Sequence, residues 1–513
     1  MIFGSHQFPY TNFHELNLDW ILEKLKTLLS DNVDIHSALE QLSAAIDAMD
    51  ENMTQQIYDQ LQSMVDDGTF AELLTNYSGF VKQEDTTVEM LADTELRSGV
   101  LVQTAGYYEA GDGGQGLFLI TTTETSFALE NGLYAAILED ISNVLAYGAK
   151  ADGTTDDTQA VMNAMAVSPV VRFPKKSAAY VLGNITIPEG RQLMGEETEI
   201  RANAATLFTI AHGHVALNNF IVRGNNYTAI EFNLAQNDQF IYIDDIKAYN
   251  CLHLINDITP KDENDEPTII YTNTYIRRCY GIDVMGIGVQ MTNALAFIFL
   301  DDITIDAIRT QPNSPLFRFK NCRGMQLRHC EAEGGKTEGH IHQLYNVGFS
   351  LDKCVAVWFD RCMADTVDGI GFEISGTCEY IYMSQCVASL CGSHAFMLAG
   401  KYMTFTNCYA NGNRGAEQNP LQNVHGFNIY TDLVMSGCRA DRFYGAAIYV
   451  HSTGRTTIST AVSNWCDIGI LAETGATGII QGCIIDTQDQ TNGTVGIPET
   501  LHLVNNLING TFA

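Results

Sequence analysis

The chain has 513 residues, 46% of them hydrophobic, which is enough to bury a large core or to build one repetitive architecture. Its 61 acidic and 28 basic residues give a formal net charge of −33, which argues against a nucleic-acid partner. No run of about 18 apolar residues predicts a membrane span, and the first residues lack the pattern of a secretory signal. The 13 cysteines form no paired CxxC motif, so we expect buried free thiols.

The first part of the chain is predicted to be helical. Residues 17–29 read NLDWILEKLKTLL, and apolar residues then recur at steps of four and three, as in a coiled-coil seam. These are Ile35, Leu39, Leu42, Ile46, Met49 and Met53, followed after a stutter by Ile57, Leu61 and Met64. We therefore predict a coiled-coil helix over 31–78 after an N-terminal segment 1–30. An amphipathic helix packed on its own domain is the alternative.

Residues 79–140 are predicted to form a small β-rich connector. The loop GDGGQG at 111–116 could suggest phosphate binding, but the strand pattern LFLI follows it at 117–120. A phosphate loop uses the positive end of a helix behind it. We therefore interpret the loop as a structural turn.

A helix is predicted where the next region begins. DDTQAVMNAMA at 156–166 has the pattern of a capped amphipathic helix, with acids at its positive end. Such a helix could close the mouth of a repetitive β fold, whose first turn otherwise exposes strand edges and core.

One ten-residue phrase then recurs along the chain. Two apolar residues separated by one spacer are followed by two polar residues, then by cysteine and alanine. The clear copies are MQLRHCEAEG (325–334), VWFDRCMADT (357–366), IYMSQCVASL (381–390), MTFTNCYANG (403–412) and LVMSGCRADR (433–442). The pattern predicts a strand, a two-residue corner and a second strand, with the apolar side chains of both strands facing one interior.

The place of the cysteine recurs at steps of 17 to 33 residues, which indicates one supersecondary unit per repeat. It falls at residues 220, 246, 279, 303, 330, 362, 386, 408, 438, 466 and 483. A third strand pattern follows many copies, such as GFEI at 371–374. We therefore predict a mainly β fold, a right-handed parallel β-helix of eleven turns over 141–513, with a cysteine ladder inside it. A sandwich would need regular two-residue hairpin turns, which the chain lacks.

The opening of this region resembles a known family. VLAYGAKADGTTDDTQAVMNAM (144–165) and VRFPKKSAAYVLGNITIPEGRQLMGE (171–196) resemble the start of the pectate-lyase-like β-helix of phage tailspikes and neck appendages. The family usually has glycine where this chain has Lys176. Residues 8–26 are similar to the N-terminal segment of virion appendage proteins.

The resemblance implies a homotrimeric spike of the virion, assembled in the host cytoplasm. Residues 1–30 would attach it to portal, tail or neck proteins, and the β-helix would bind a bacterial surface glycan. Many relatives also cleave the glycan, by hydrolysis or lyase chemistry, and others only bind it. A structural or receptor-binding fibre without catalysis is therefore the alternative. A free secreted pectate-lyase-like enzyme is disfavoured, because it leaves the helical front unexplained.

Pairs of charged residues occupy the predicted corners. Acidic and basic pairs alternate from one turn to the next, at Asn218-Asn219, Asp244-Asp245, Arg277-Arg278, Asp301-Asp302, Arg328-His329 and Asp360-Arg361. Neighbours of opposite charge attract weakly on a surface. We interpret these pairs as a register-setting ladder rather than as a catalytic site.

A column of acids is predicted three positions after the cysteine place. Asp306, Glu333 and Asp365 occupy it on successive turns, where stacked like charges are unfavourable. Such acids are tolerated if they share a proton, hold a divalent cation or splay apart. Glycoside hydrolysis needs a proton donor and a carboxylate at about this spacing. We predict Glu333 and Asp365 as the catalytic pair, with Glu331 and Asp306 in reserve. Solvated turn residues are the alternative, and no other cofactor is expected.

Further along the same side of the chain, Tyr409, Asn411 and Asp441 are predicted to bind glycan. Tyr409 lies between two inward-facing residues and should point outward, as a sugar platform would. The pattern HIH at 340–342 has a spacing that could chelate metal, but nothing nearby completes a site, so a polar loop is favoured.

Overall fold

The computed structural model describes residues 81–263, 268–292, 294–307, 314–334, 347–412, 424–451, 455–487 and 492–512. The predicted attachment segment 1–30, the coiled-coil helix predicted over 31–78 and the HIH pattern lie outside the described residues. The chain divides into two compact units, the first ending at Asp140 but including 145–148, and the second comprising 141–144 and the chain from Ala149. No helix of the described residues is long and apolar enough to cross a membrane.

Over the residues described from Val81 onward, the first unit contains a five-stranded sheet and one short α-helix. Its first two strands pair in parallel, and the remaining pairings are antiparallel. In chain order the elements are Val81–Glu84, helix Thr87–Ala92, Leu101–Thr104, Gly116–Thr121, Phe127–Ala128 and Tyr134–Ile137.

The glycine-rich loop of this unit is a turn organised by one carboxylate. Asp112 accepts backbone N–H groups from Tyr107, Tyr108, Glu109 and Gly114 at 2.7–3.2 Å. The strand Gly116–Thr121 follows directly. The loop therefore uses its N–H groups internally, which agrees with the structural turn predicted.

Helix Thr158–Val167 lies at the start of the second unit and packs on strands Ile141–Asn143 and Val170–Phe173. The cap differs from the prediction. Asp157 occupies the N-cap position without bonding the helix, because its carboxylate accepts the N–H groups of Lys150 and Ala151 at 2.7 and 3.1 Å. Asp156 accepts the Thr158 N–H instead, at 2.9 Å.

The second unit is a parallel β-solenoid of about 16 coils, which confirms the mainly β, repetitive fold. A coil consists of a segment A, a two-residue corner, a segment B and a strand C. Segments A and B form one sheet, called sheet AB, and in the early coils they are a single bent strand such as Val215–Arg223. The thirteen C strands of the described residues form a second parallel sheet.

The strands of sheet AB are Ile141–Asn143, Val170–Phe173, Tyr180–Leu182, Gln192–Ala202, Val215–Arg223, Asp238–Tyr249, Tyr271–Ile282, Leu295–Ala307, Arg323–Arg328, Glu331–Gly334, Val355–Asp360, Met363–Asp365, Glu379–Ser384, Val387–Ser389, Met403–Thr406, Tyr409–Asn411, Leu433–Ser436, Arg439–Asp441, Arg455–Ser459, Val462–Cys466, Thr477–Gln481, Ile484–Thr487, Leu501–Val504, Leu507–Ile508 and Thr511–Phe512. The strands of sheet C are Ile185–Ile187, Thr206–Ile210, Thr228–Phe232, His253–Asp257, Val289–Thr292, Phe317–Lys320, Phe349–Asp352, Phe372–Ile374, Phe396–Leu398, Phe427–Ile429, Ala446–Val450, Ile468–Ala472 and Thr494–Val495.

The prediction of eleven turns was too low, and its place for Cys466 was wrong. In that coil the cysteine place after the corner is taken by Ala461, whose N–H points at the Cys483 thiol 3.4 Å away. Thr198 pairs with Phe220 and occupies the same place in an earlier coil. Threonine and alanine fill the small inward space as cysteine does, so a pattern based on cysteine misses those coils.

Each corner turns on one residue in the left-handed backbone region. The second corner residue has φ between 48° and 66°, and the residues are Asn219, Asp245, Arg278, Asp302, His329, Arg361, Gln385, Asn407, Gly437, Thr460, Gly482 and Asn505. For residues other than glycine this conformation costs roughly 1–2 kcal/mol. Stacking maintains it, because the N–H of this residue donates to the next coil, as in His329 to the Asp360 carbonyl at 3.0 Å.

All thirteen cysteines are buried and free, as predicted. Those that follow an A–B corner form the expected ladder, including Cys362, Cys386 and Cys408. Two smaller sets stand after strand C (Cys322, Cys354, Cys378) and at or just beyond the end of segment B (Cys251, Cys391, Cys466). Along the main ladder each thiol lies 3.1–3.7 Å from the carbonyl oxygen two residues earlier. The thiol is thus a small inward group that also satisfies the carbonyl at the turn.

Candidate functional site

The predicted acid column exists as a geometric feature of segment B. The register pairs Asp306 with Glu333 and Glu333 with Asp365 on consecutive coils. It then continues to Ser389, Asn411 and Asp441. The alternate residues Ala332 and Ala364 face the core, so the column faces outward.

The surroundings of the column raise the pKa of Glu333 in it and of Glu331 beside it. Burial raises the pKa of Glu333, and the charges of Asp306 and Asp365 raise it further. Burial likewise raises the pKa of Glu331, and the charges of Glu333 and Asp365 raise it further. Neither Glu331 nor Glu333, nor the Asp365 carboxylate, has a hydrogen bond or ion pair with another described residue. Burial and the neighbouring negative charges therefore favour the protonated forms of Glu331 and Glu333.

Sequence reasoning missed Asp283, which belongs to the same group. Burial raises the pKa of Asp306 and the charge of Asp283 raises it further. Asp283 follows segment B of the preceding coil, at a left-handed turn with φ 58°. The register pairs its neighbour Ile282 with Asp306. An alignment of the repeats by their turns, rather than by their cysteines, would have found it.

The predicted glycan-binding residues are largely engaged with one another. The Tyr409 hydroxyl donates to the Asp441 carboxylate at 3.1 Å, and Arg439 Nε donates to the same oxygen at 2.6 Å. Burial and the neighbouring Asp441 raise the pKa of Tyr409. The Asn411 amide lies 3.4 Å from the Ser389 hydroxyl. Tyr409 is half-buried rather than fully outward, so only part of its ring could meet a ligand.

The charged corner pairs form the ladder that was predicted. Arg277 and Arg278 both donate to Asp244, at 2.8 and 2.7 Å, and His329 lies 3.3 Å from Asp301. A shallow depression of about 540 Å³ lies over this ladder. The arginine side chains are 54% exposed, so each pair contributes only about 0–1 kcal/mol.

A second polar group on sheet C was missed by sequence reasoning. His451 Nδ1 lies 3.0 Å from Glu473 and its Nε2 lies 2.8 Å from the Asn428 side-chain oxygen. The ring stacks on Tyr430 with centroids 3.8 Å apart, and Tyr449 donates to Glu473 at 2.7 Å. Both ring nitrogens are therefore occupied, so the histidine orients its neighbours. The sequence signal for this group is the pair of patterns NIY at 428–430 and YVH at 449–451, which lie one coil apart.

Among the described residues, no three His, Cys, Asp or Glu side chains are placed to hold a metal ion together. The divalent cation suggested for the acid column stays a prediction. The residues that directly follow Asp306 and Glu333 on the way to the next strand C, 308–313 and 335–346, lie outside the described part.

No protein-family model matches the chain, and no curated protein matches it. Solved structures do match. The pre-mature gene product 12 of bacteriophage phi29 is 15% identical with a TM-score of 0.53, over 72% of this chain and 57% of that one. Full-length tailspike protein 2 of Escherichia coli O157:H7 bacteriophage CAB120 is 11% identical with a TM-score of 0.45, over 79% of this chain and 52% of that one. The chain thus spans about half the length of that tailspike.

The tailspike of Acinetobacter phage vb_AbaP_AS12 is 11% identical with a TM-score of 0.41, over 85% of this chain and 76% of that one. The structural neighbours include phage tailspike proteins. The phi29 match, with its TM-score of 0.53, concerns the fold and agrees with the resemblance predicted from residues 144–196. At these identities the similarity concerns the fold alone.

Proposed function

We propose that the protein is a virion appendage of a tailed phage that binds a bacterial surface polysaccharide with its β-solenoid. The fold, the acidic surface and the N-terminal resemblance support this proposal. In it, three copies assemble in the host cytoplasm, and residues 1–30 attach them to portal, tail or neck proteins.

We further propose that the acid column cleaves the polysaccharide, and the stacked carboxylates carry this proposal. Adjacent coils lie about 4.8 Å apart, close to the ~5 Å that separates the carboxyl groups of retaining glycosidases. Glu333 would protonate the leaving oxygen while Asp365 attacks the anomeric carbon. Glu333 would then take a proton from the water that hydrolyses the glycosyl ester.

Glu331 and Asp306 have supporting parts in this mechanism. Their negative charge, together with Asp365, favours the protonated form of Glu333, which a general acid needs before the bond breaks. Asp306 lies two coils from Asp365, roughly 9.6 Å away along the solenoid. A pair that uses Asp306 and Asp365 would therefore leave room for a water, as inverting enzymes require.

Binding without cleavage is the second candidate. It is favoured by the exposure of Glu333, because a solvated surface carboxylate with no catalytic role would be exposed in the same way. In this case the solenoid would hold the glycan and the acids would be turn residues of an acidic protein.

The double variant Glu333→Gln, Asp365→Asn separates the two candidates. The full chain is incubated with surface polysaccharide from the natural host, and released oligosaccharides and retained binding are measured. We expect the wild type to release oligosaccharides and the variant to lose about 10³-fold in rate while still binding, because general acid catalysis contributes about that much.

The matched control is Glu379→Gln, Asp432→Asn, which changes the charge equally at the start of segment A. It should cleave as the wild type does. If the column variant still releases oligosaccharides at the wild-type rate, the acid column is not the catalytic site. A wild type that binds the glycan and releases nothing would establish the second candidate.

A further inference from the structure

The exposed apolar side chains of the solenoid concentrate on one side. Beyond residue 240, eight of the large apolar side chains that are exposed lie on segment A or directly before it, and three lie elsewhere in the described residues. The eight are Tyr242, Phe297, Trp358, Tyr380, Tyr402, Val434, Ile479 and Val504. Exposed apolar side chains that concentrate on one side of a protein mark an interaction surface.

The centre of this surface is one outward column of segment A, here called the apolar strip. The register aligns Tyr242, Tyr275, Phe299, Gln326, Trp358, Tyr382, Thr404, Val434, Thr457 and Ile479 on ten consecutive coils. None of these ten residues is charged, although the chain carries a net charge of −33. Nine steps of about 4.8 Å make the strip roughly 43 Å long.

The neighbouring corner column is also uncharged over the later coils. It reads Ser384, Thr406, Ser436, Ser459 and Gln481. The acid column on segment B shows that outward positions elsewhere on the solenoid tolerate stacked acids. An acid-free strip therefore removes the like-charge repulsion that two copies of this acidic chain would meet elsewhere.

The geometry of the rings favours a protein partner over a sugar. Tyr242, Tyr275 and Phe299 stack with centroids 5.1 and 5.0 Å apart and planes within 10°. Trp358 and Tyr382 stack in the same way, 5.5 Å apart and within 8°. Stacked rings cover one another's faces and present their edges outward. A sugar platform needs an open ring face, so Trp358 is poorly placed for that use.

We infer that the apolar strip is the surface through which copies of this chain pack side by side in the homotrimer, and the inference rests on the trimer of the proposed function. In a closed threefold assembly with parallel solenoids, the same strip of each copy lies near the axis. With a width of about 15 Å the strip and its neighbouring columns cover roughly 650 Å², which the two neighbours of each copy share, so the strip forms the centre of a contact that needs ~800 Å² per partner to be stable.

Cross-linking of the full chain tests where the copies meet. Val434→Cys places a thiol on the strip, and the control Ile484→Cys places one on segment B, at nearly equal exposure, 50% and 49%. Burial raises the pKa of native thiols such as Cys386, which keeps them unreactive. With a short bis-maleimide we expect covalent multimers from Val434→Cys at about ten times the control yield, the discrimination expected of one specific contact surface.

Glutamate substitutions in the strip and on segment B give an independent measurement. Val434→Glu places like charges of the neighbouring copies in the proposed contact, and Ile484→Glu makes the same change on segment B at nearly equal exposure. We expect about 100-fold weaker assembly of the solenoid for the strip variant, seen as a lower molar mass or a lower melting temperature, with an unchanged circular dichroism spectrum. The control should match the wild type.

The outcomes separate the inference from the proposed function. A wild type of three-chain mass whose strip cross-links no better than segment B would overturn the inference and leave the trimer standing. A wild type of single-chain mass would overturn the inference and the trimer together, and the glycan-binding assay on that monomer would decide the rest of the proposed function.

Discussion

At the residue scale the corner is the unit that the chain repeats. Ten of the twelve left-handed corner residues between Asn219 and Asn505 are not glycine, so the strain of the corner is accepted in most coils. The sequence indicated the corners through their polar pairs. It did not show which of the two residues is left-handed, because asparagine, aspartate, arginine and glutamine all occur there.

The two glycine corners give a matched test of this strain. Gly437 and Gly482 have φ of 66° and 61°, but a β-carbon on Gly437 would meet the Asn407 side-chain oxygen, whereas one on Gly482 would meet nothing. We expect Gly482→Ala to lower the free energy of unfolding by about 1 kcal/mol and Gly437→Ala by about 2 kcal/mol. Denaturant unfolding measures both, and equal losses would contradict a steric contribution from Asn407.

The acid column predicts a pH dependence for Glu331→Gln. The folded-state pKa of Glu331 is raised, so its contribution to stability is present below its unfolded value of about 4.3 and is lost as pH rises through the folded value. The glutamine side chain does not ionise, so the variant does not lose this stability as the pH rises. We expect a higher melting temperature than the wild type at pH 7 and no difference near pH 4. Glu373→Gln, on sheet C, serves as the control, and a lower melting temperature of Glu331→Gln at pH 7 would refute the repulsion.

At the element scale sheet C holds an aromatic ladder in the core. Phe317, Phe349, Phe372, Phe396 and Phe427 stack with centroids 4.6–5.0 Å apart. Each coil buries its ring only against the coils on either side. The stability of the element is therefore shared between neighbours, as in other solenoids.

Removing the middle ring should cost more than any exposed truncation. Phe372 is fully buried, so Phe372→Ala leaves a cavity between two coils and should cost about 3–5 kcal/mol. Ile258→Ala, at a side chain 45% exposed just beyond a C strand, should cost about 1 kcal/mol. Urea unfolding compares the two, and hydrogen exchange should locate the loss of the first near residues 349–398. Similar costs would argue against the ladder as a source of stability.

The elements could be predicted from the sequence to different degrees. Strand, corner and strand followed from the alternation of apolar residues around the cysteine, and strand C followed from patterns such as GFEI. The assignment of Cys466 to a corner failed because cysteine also stands after segment B, where a second left-handed residue, Trp465, produces the same local pattern. The His451 group could not be predicted, since its partners come from three coils and meet only through the register.

At the scale of the whole molecule, the repetition made the acid column predictable. Residues one repeat apart stack, so Asp306, Glu333 and Asp365 could be aligned by counting. The apolar strip was equally present in the sequence, but an aromatic residue in a strand suggests a core position. The alternation around the corners places these aromatics on the outward face of segment A, and the structure shows how far they are exposed.

Much of the variation in coil length falls at one edge of the solenoid, although a 13-residue connection also separates strand His253–Asp257 from the next segment A. The A–B corner always takes two residues, whereas segment B and the next strand C are separated by 6 residues after Asp365, 14 after Gly334 and 15 after Asn411. The two ends of a peptide grafted at this edge would join strands that are already hydrogen-bonded to the coils on either side. Libraries built there could diversify the rim beside the acid column while every corner, thiol and stacked ring stays unaltered.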